Sequence, residues 1–312
     1  MVIQSEAPLP PAEPKPGRPR RSLPVRILKW IGLGLLTFIL GSVLWVLAYR
    51  FVNPPITLTQ ASDAIWGNGL TRDWMPIERI DRDMVRAVIA GEDSKFCSHG
   101  GFDQQAIEAA MRRNASGGHV LRGGSTISQQ TAKNVFLWQG GGYFRKGLEA
   151  WFTFLIETLW DKRRIMEVYL NVAETGIGTY GVNAGAQRYY HHDASALSPA
   201  EAARIAAIFP LPKRREAVDP AGFTRRYGNL IFRRMGVVGR NGLDACVYAG
   251  HAAPREVPEP AAPVAPSRAQ PLPSPQVPRE EPEQPSPPEP APKPEASAPV
   301  PVAPPPPTGN GA

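Results

Sequence analysis

The stretch GEDSKFCSHGGFD (residues 91–103) sets two carboxyl groups, Glu92 and Asp93, side by side where an apolar helical run ends. A carboxylate at a helix C-terminus meets the negative end of the helix dipole, which is unfavourable unless another need holds it there. That tension marks the pair as a candidate acid or base, with a solvated acidic turn as the alternative. His99 follows in a glycine-flanked loop. No second His or Cys stands at metal-ligand spacing, so His99 reads as a hydrogen-bonding strut rather than a ligand.

A second polar concentration is GGSTISQQTAKN (residues 123–134). Gly123 and Gly124 lead into a helix N-terminus, whose free N–H groups and positive dipole end attract anions. Ser125, Thr126, Gln129 and Gln130 add neutral donors, and Lys133 lies about one turn further along. Such a set suits a phosphate or sugar hydroxyls. Thr126 with Gln129 also fits a capping box, but an ordinary capped helix explains Ser125 and Thr126 and leaves both glutamines and Lys133 without a role. A serine nucleophile lacks a His and Asp pair to activate it. In YFRKGLEAWF (residues 143–152), Arg145 and Glu149 stand four apart beside Lys146, which is the spacing of a surface ion pair or of an anion-binding cation set.

These residues need a scaffold, and helical spacing dominates the chain between residues 54 and 250. Met84, Val85, Ala87, Val88 and Ile89 form an amphipathic run up to Gly91, and Ile107, Ala110 and Met111 form another after the cap candidate Asp103. Residues 148–160 make a long apolar helix. Its Trp151, Phe152, Phe154, Leu155 and Ile156 read mostly as core, with FLWQGGGYF (residues 136–144) as the better lipid contact. Ile165, Val168, Tyr169 and Val172 mark the next helix. Ser198, Pro199 and Glu201 open one that Pro210 stops. Pro55 to Thr59 reads as a weak extended segment. The expected fold is mainly α, with glycine-rich loops between helices.

The ends differ from this middle. Residues 30–49 (WIGLGLLTFILGSVLWVLAY) carry no charge and match the roughly 20 residues that cross a bilayer core as a helix. Lys15, Arg18, Arg20, Arg21, Arg26 and Lys29 precede them, so the positive-inside rule keeps residues 1–29 cytoplasmic and sends the chain beyond the anchor (residues 30–50) outside. A cleaved signal peptide is the competing reading. Residues 253–312 hold 22 of the chain's 36 prolines and no aromatic residue, a composition that reads as disordered, either a spacer or a docking strand. The formal charge of +7 suits work beside anionic head groups, and the topology speaks against nucleic acid as a partner. Cys97 and Cys246 would occupy an oxidising compartment and can pair.

Five blocks, EDSKFCSHGGFD, GGSTISQQTAKN, RKGLE, RRIMEVYLN and GVNAGAQRYY, run in an order and spacing similar to those of the peptidoglycan glycosyltransferases, glycosyltransferase family 51. The likeness is strong over residues 77–190 and looser to residue 234. With one anchor and no room for a transpeptidase domain, the chain resembles the monofunctional members. The resemblance implies a lysozyme-like helical domain over residues 54–250 that joins lipid II units to a lipid-linked glycan strand, with inversion, and releases undecaprenyl pyrophosphate. Glu92 then takes the proton of the acceptor 4-hydroxyl, and Lys133, Arg145 and Lys146 hold the pyrophosphate. Glu149, the second catalytic carboxylate, orients those cations or helps to hold a divalent ion such as Mg or Mn, with no cofactor obligatory. Ser125, Thr126, Gln129, Gln130 and Asn134 line the cleft, Asp93 and His99 support the first loop, and Glu167 and Asn171 form a buried pair behind it. The implied location is the inner membrane with the catalytic domain in the periplasm, beside wall-synthesis or division proteins. A lysozyme-like lytic enzyme and a non-catalytic membrane scaffold are the competing functions.

Overall fold

Apolar residues at helical spacing fold the chain into α-helices joined by short loops, and the computed structural model describes residues 23–115 and 124–250. The basic residues Lys15, Arg18, Arg20 and Arg21, the loop residue Gly123 and the proline-rich residues 253–312 lie outside them. In chain order the elements begin with α1 (Leu23–Phe51), α2 (Leu58–Ile65), the short strand β1 (Thr71–Arg72), α3 (Arg82–Glu92), α4 (Gln104–Ala115) and α5 (Ile127–Phe136). They continue with α6 (Gly142–Leu159), α7 (Lys162–Val172), β2 (Glu174–Gly176), β3 (Thr179–Tyr180), α8 (Val182–Tyr190), α9 (Pro199–Ile208), α10 (Gly222–Arg240) and α11 (Ala245–Tyr248). The fold is mainly helical, as expected, with one long apolar helix at its N-terminal end.

Two helical layers frame the core. In one, α3, α9 and α10 pack mutually; in the other, α5 lies against both α6 and α7. Gly91, near the end of α3, is where α10 presses in, since a Cβ there would sit 3.0 Å from Ile231. Tyr227 of α10 donates its hydroxyl proton to the Gly91 carbonyl at 2.7 Å. A three-stranded ribbon, in the order β1-β3-β2, closes one side, with β1 parallel and β2 antiparallel to β3.

Local caps explain where the helices start. Thr126 and Gln129 form a reciprocal capping box on α5, and Ser198 and Glu201 form another on α9 with Pro199 in its first turn. The expected extended segment Pro55 to Thr59 is corrected: residues 58 and 59 already belong to α2, because Thr57 and Gln60 make a third capping box. Met111, expected on the apolar face of α4, points outward and is exposed.

Helix α1 is longer than the apolar run 30–49 at both ends, and it is long and apolar enough to cross a membrane. Its last turns are fixed to the domain. The Trp151 and Trp160 indoles donate to Ser42 Oγ (3.0 Å) and the Val46 carbonyl (2.8 Å), and Arg164 donates to the Tyr49 and Val52 carbonyls. Phe136 and Phe152 stack with centroids 4.6 Å apart beneath Trp45 and Tyr49. The aromatic half of α6 is therefore mostly core, with Phe154 left exposed. Cys97 and Cys246 are disulfide-bonded, their Cα atoms 5.5 Å apart, which ties the loop after α3 to α11. Beside that bond the fully buried Asp244 accepts hydrogen bonds from Arg82 and Arg86.

Candidate active site

Glu92 is the last residue of α3, and its backbone ends where Asp93 turns the chain away. Its Oε2 accepts a 2.7 Å hydrogen bond from the Gln130 amide on α5. Its Oε1 is closed off from solvent and accepts none. Burial therefore pushes the carboxyl above the usual glutamate range, against the lowering pull of Gln130, Lys133 and Arg215. A carboxylate so placed is a stronger base than a solvated one, and its free oxygen is directed at no other protein group.

Asp93, next in sequence, has a different task. It accepts hydrogen bonds from the Ile127 N–H at 3.1 Å, from the Lys95 N–H at 3.3 Å and from His99 Nε2 at 3.0 Å. One buried carboxylate thus joins the loop after α3 to the first turn of α5, where the helix dipole also favours it. His99 Nδ1 accepts from the Gly101 N–H, and the Gly101 carbonyl in turn accepts the Thr126 hydroxyl at 2.7 Å. Gly101 has φ +90°, and a Cβ there would meet Thr153 and Glu157 at 2.8 Å, so only glycine lets the loop lie this close to α6. Lys162 completes the knot by donating to the His99 carbonyl and to Glu157, both at 2.8 Å.

The polar residues of the second block divide by helical face. Thr126 and Gln129 are buried in the cap, where they fix the start of α5 instead of presenting their hydrogen-bonding groups to a cleft. Gln130, Lys133 and Asn134 line a cleft of about 500 Å³, a size ordinary for a ligand pocket. The Lys133 ammonium makes no hydrogen bond or ion pair among the described residues. Burial lowers its pKa, while Glu149 and Glu92 pull it upward. An ammonium group without a partner, set in a cleft wall, is a site for an anion.

Arg145, Lys146 and Glu149 sit on the first turns of α6. Glu149 is 2% exposed. Its Oε2 accepts from Arg145 at 2.8 Å, and its Oε1 accepts from Lys146, whose ammonium also reaches Ser125 Oγ at 3.4 Å. The i,i+4 pair is thus the organiser of a cation cluster rather than an isolated surface bridge. Arg145 and Lys146 lie beyond the cleft lining; Lys133, which feels Glu92, Arg145, Lys146 and Glu149 together, connects the two.

Glu167 and Asn171, expected as a pair, have separate partners. The Asn171 amide bonds the Met75 N–H and carbonyl at 2.8 and 2.9 Å and reaches only the backbone carbonyl of Glu167. The Glu167 carboxylate goes to Arg164 at 2.9 Å, because Arg164 lies one turn back on the same face of α7. Trp138, Tyr143 and Phe144 are exposed around the glycine-rich turn, Tyr143 at 99%.

Several residues at the site are not singled out by the sequence. Tyr169, Tyr227 and Arg215 surround Glu92 electrostatically, and Asp63, Glu174, Lys213 and Arg214 line the same cleft as Gln130 and Lys133. The basic run PLPKRR is the available signal for Lys213 to Arg215; Asp63 has none.

Residues 60–236 match the family model described as Transglycosylase. Curated relatives named biosynthetic peptidoglycan transglycosylase align over most of their length. The one from Caulobacter vibrioides is 48% identical over 71% of this chain and 97% of its own. The one from Xanthomonas axonopodis pv. citri is 49% identical over 69% and 89%, and that from Pseudomonas putida 47% over 68% and 92%.

Proposed function

The chain belongs to the transglycosylase family and is a peptidoglycan glycosyltransferase, and from that premise we propose which of its residues carry each part of strand polymerisation. The substrates are lipid II and the lipid-linked glycan strand. Glu92 is the general base. Its free oxygen removes the proton of the acceptor sugar's 4-hydroxyl as that oxygen attacks the donor's anomeric carbon. The bond to the pyrophosphate breaks on the opposite face, so one displacement inverts the centre and gives a β-1,4 linkage. Sugar hydroxyls are weak nucleophiles near neutral pH, and base assistance of this kind contributes about 10² to 10⁴ in rate.

Lys133 meets the developing charge on the departing pyrophosphate, with Arg145 and Lys146 extending the positive field toward it. Donors fixed before the reaction stabilise that charge without reorganisation. Glu149 aligns the two cations, while Ser125, Gln130 and Asn134 supply neutral contacts. Asp93, His99, Thr126 and Gln129 act through the geometry they impose on α5. A divalent ion such as Mg or Mn on the pyrophosphate would take most of its ligands from the phosphate oxygens and water, beside Glu149, whose two oxygens are held by Arg145 and Lys146.

Helix α1 would hold the enzyme in the inner membrane as a single-pass anchor, N-terminus inside, with the catalytic domain in the periplasm at the height of its polyprenyl substrates. Trp138, Tyr143 and Phe144 suit contact with that surface. The observation that carries the reading is an unsatisfied carboxyl oxygen on Glu92 at the end of α3 together with an unpartnered ammonium on Lys133 of α5, one turn beyond the Gln130 that donates to Glu92. A lytic enzyme, whose leaving group is a neutral sugar, has no need of the second. The test is lipid II with purified full-length protein, wild type against Glu92→Gln. Polymer on a gel from the first and at least a 100-fold loss in the second is expected. Comparable polymer from both would remove Glu92 from the reaction.

A further inference from the structure

Resting on this reading, the cleft carries a second set of groups that base catalysis and pyrophosphate binding do not use. Asp63 on α2, Glu174 on β2 and Lys213 after α9 all line the same cavity as Gln130 and Lys133. Their positions are fixed by the ribbon. Glu174 pairs in register with Tyr180 on β3, and the Tyr180 hydroxyl donates to Asp63 at 2.5 Å. Behind them the hairpin glycine Gly178, at φ +63°, packs so close that a Cβ would fall 2.2 Å from the Asn68 carbonyl.

The two carboxylates of this set are not equivalent. Asp63 is saturated: it accepts from Lys213 at 2.8 and 3.0 Å, from Asn68 at 3.0 Å and from Tyr180. Burial works to raise its pKa, yet those hydrogen bonds outweigh it and hold the carboxyl below the usual range. Glu174 is 14% exposed, its Oε1 is closed to solvent, and its nearest cation, Lys213, stands 3.6 Å away, too far for a hydrogen bond. Burial pushes it up to about 7, and the Lys213 charge only partly opposes this. A buried acceptor left without a donor costs free energy that an apolar side chain would not. The Lys213 charge at 3.6 Å offsets only part of that cost, so a donor on the ligand is the natural partner.

We infer that Glu174 is a substrate-binding residue whose carboxylate accepts a hydrogen bond from a hydroxyl or amide N–H of the N-acetylhexosamine chain, in the cleft that Lys133 also lines. The anionic end of the substrate is held by Lys133 and the neutral saccharide end by Glu174. Lys213, committed to Asp63, sets the position of the carboxylate without neutralising it.

The experiment is steady-state polymerisation of lipid II by the full-length protein, wild type and Glu174→Gln, at pH 6 to 8.5. A hydrogen bond to a charged group lost from ground state and transition state alike raises KM about tenfold and leaves kcat within about twofold. The charged groups facing Glu174 are Asp63 from α2 and Lys213 with Arg214 from the segment after α9. Tyr180 from β3, raised by burial, stays neutral. Asp63 is lowered and Lys213 raised, so neither titrates in this window. In the wild type KM then climbs as the pH falls through about 7, where Glu174 takes up a proton, and in Glu174→Gln this dependence disappears. A KM equal to that of the wild type at every pH, or one raised only together with a lower melting temperature, overturns the assignment. Wild-type protein that makes no polymer overturns the transglycosylase reading with it, whereas normal wild-type turnover beside an unaltered variant overturns this inference alone.

Discussion

Glu92 at the end of α3 and Glu149 in the first turns of α6 are the same side chain in opposite circumstances. Both carboxylates are withdrawn from bulk water. Glu149 has a cation on each oxygen, and Glu92 has one neutral amide on one oxygen and nothing on the other. The first arrangement stabilises a charge permanently; the second leaves a charge in want of a proton. Chemistry is therefore expected where the electrostatics are unfinished and rigidity where they are complete.

The comparison breaks most visibly if charge is removed from each in turn. Glu92→Gln keeps the shape and the Gln130 contact, so its effect falls on turnover, and its fold should survive. The loop that follows Glu92 is also covalently tied. Opening the bond between Cys97 and Cys246, which are 149 residues apart, should cost roughly 3 to 5 kcal/mol in the loop-entropy account. Urea denaturation of Cys97→Ser measures it, and a midpoint equal to wild type would show that the salt bridges of Asp244 alone hold α11 in place. Lys133→Met comes next. Removing a preorganised donor for the leaving group should lower kcat by about 10² to 10³ with little change in stability. A variant that polymerises at the normal rate would shift the whole task to Arg145 and Lys146.

Glu149→Gln should behave in the reverse manner to Glu92→Gln. Breaking one partner of a buried ion pair commonly costs about 3 to 5 kcal/mol, and the half-exposed Lys146 reduces that here to about 2 to 3. Chemical denaturation at neutral pH gives the number. A protein as stable as wild type, with turnover abolished, would move Glu149 from organiser to reactant.

One half of this contrast is easier to see in the sequence than the other. Caps are local: Thr126 with Gln129 and Ser198 with Glu201 declare their helix starts within three residues, and the structure has both boxes. The same signal at Thr57 and Gln60 is overshadowed by the prolines before it, which make the start of α2 look extended. The ordered blocks bring Glu92, Lys133, Arg145, Lys146 and Glu149 to attention, since each block is a few residues long. Anything assembled across the chain is invisible at that range. Asp63, Glu174 and Lys213 come from three separate elements, with 150 residues between the outer two. Likewise nothing local distinguishes Gln129, turned into the cap, from Gln130, turned toward Glu92; one step along a helix rotates the side chain by about 100°, and only packing decides which face meets the cleft.

The smallest effect is the most specific to an unfinished carboxyl. Burial raises the Glu92 pKa in the folded protein above its unfolded value. A raised carboxyl favours folding while protonated, so its contribution is fully present below the ordinary glutamate range and is lost as the pH climbs through the raised value. Above that raised value the wild type holds a buried charge that Glu92→Gln does not, and there the variant should melt a few degrees higher. Toward pH 4, where wild-type Glu92 is itself neutral, the two melting curves should converge. Glu149→Gln should show the opposite sign at pH 8, because there the charge removed was one that two cations required. Melting scans of both variants at the two pH values separate the cases. If Glu92→Gln proved less stable at pH 8, its second oxygen would have to be satisfied in the folded protein, and the distinction between the two carboxylates would rest on position alone.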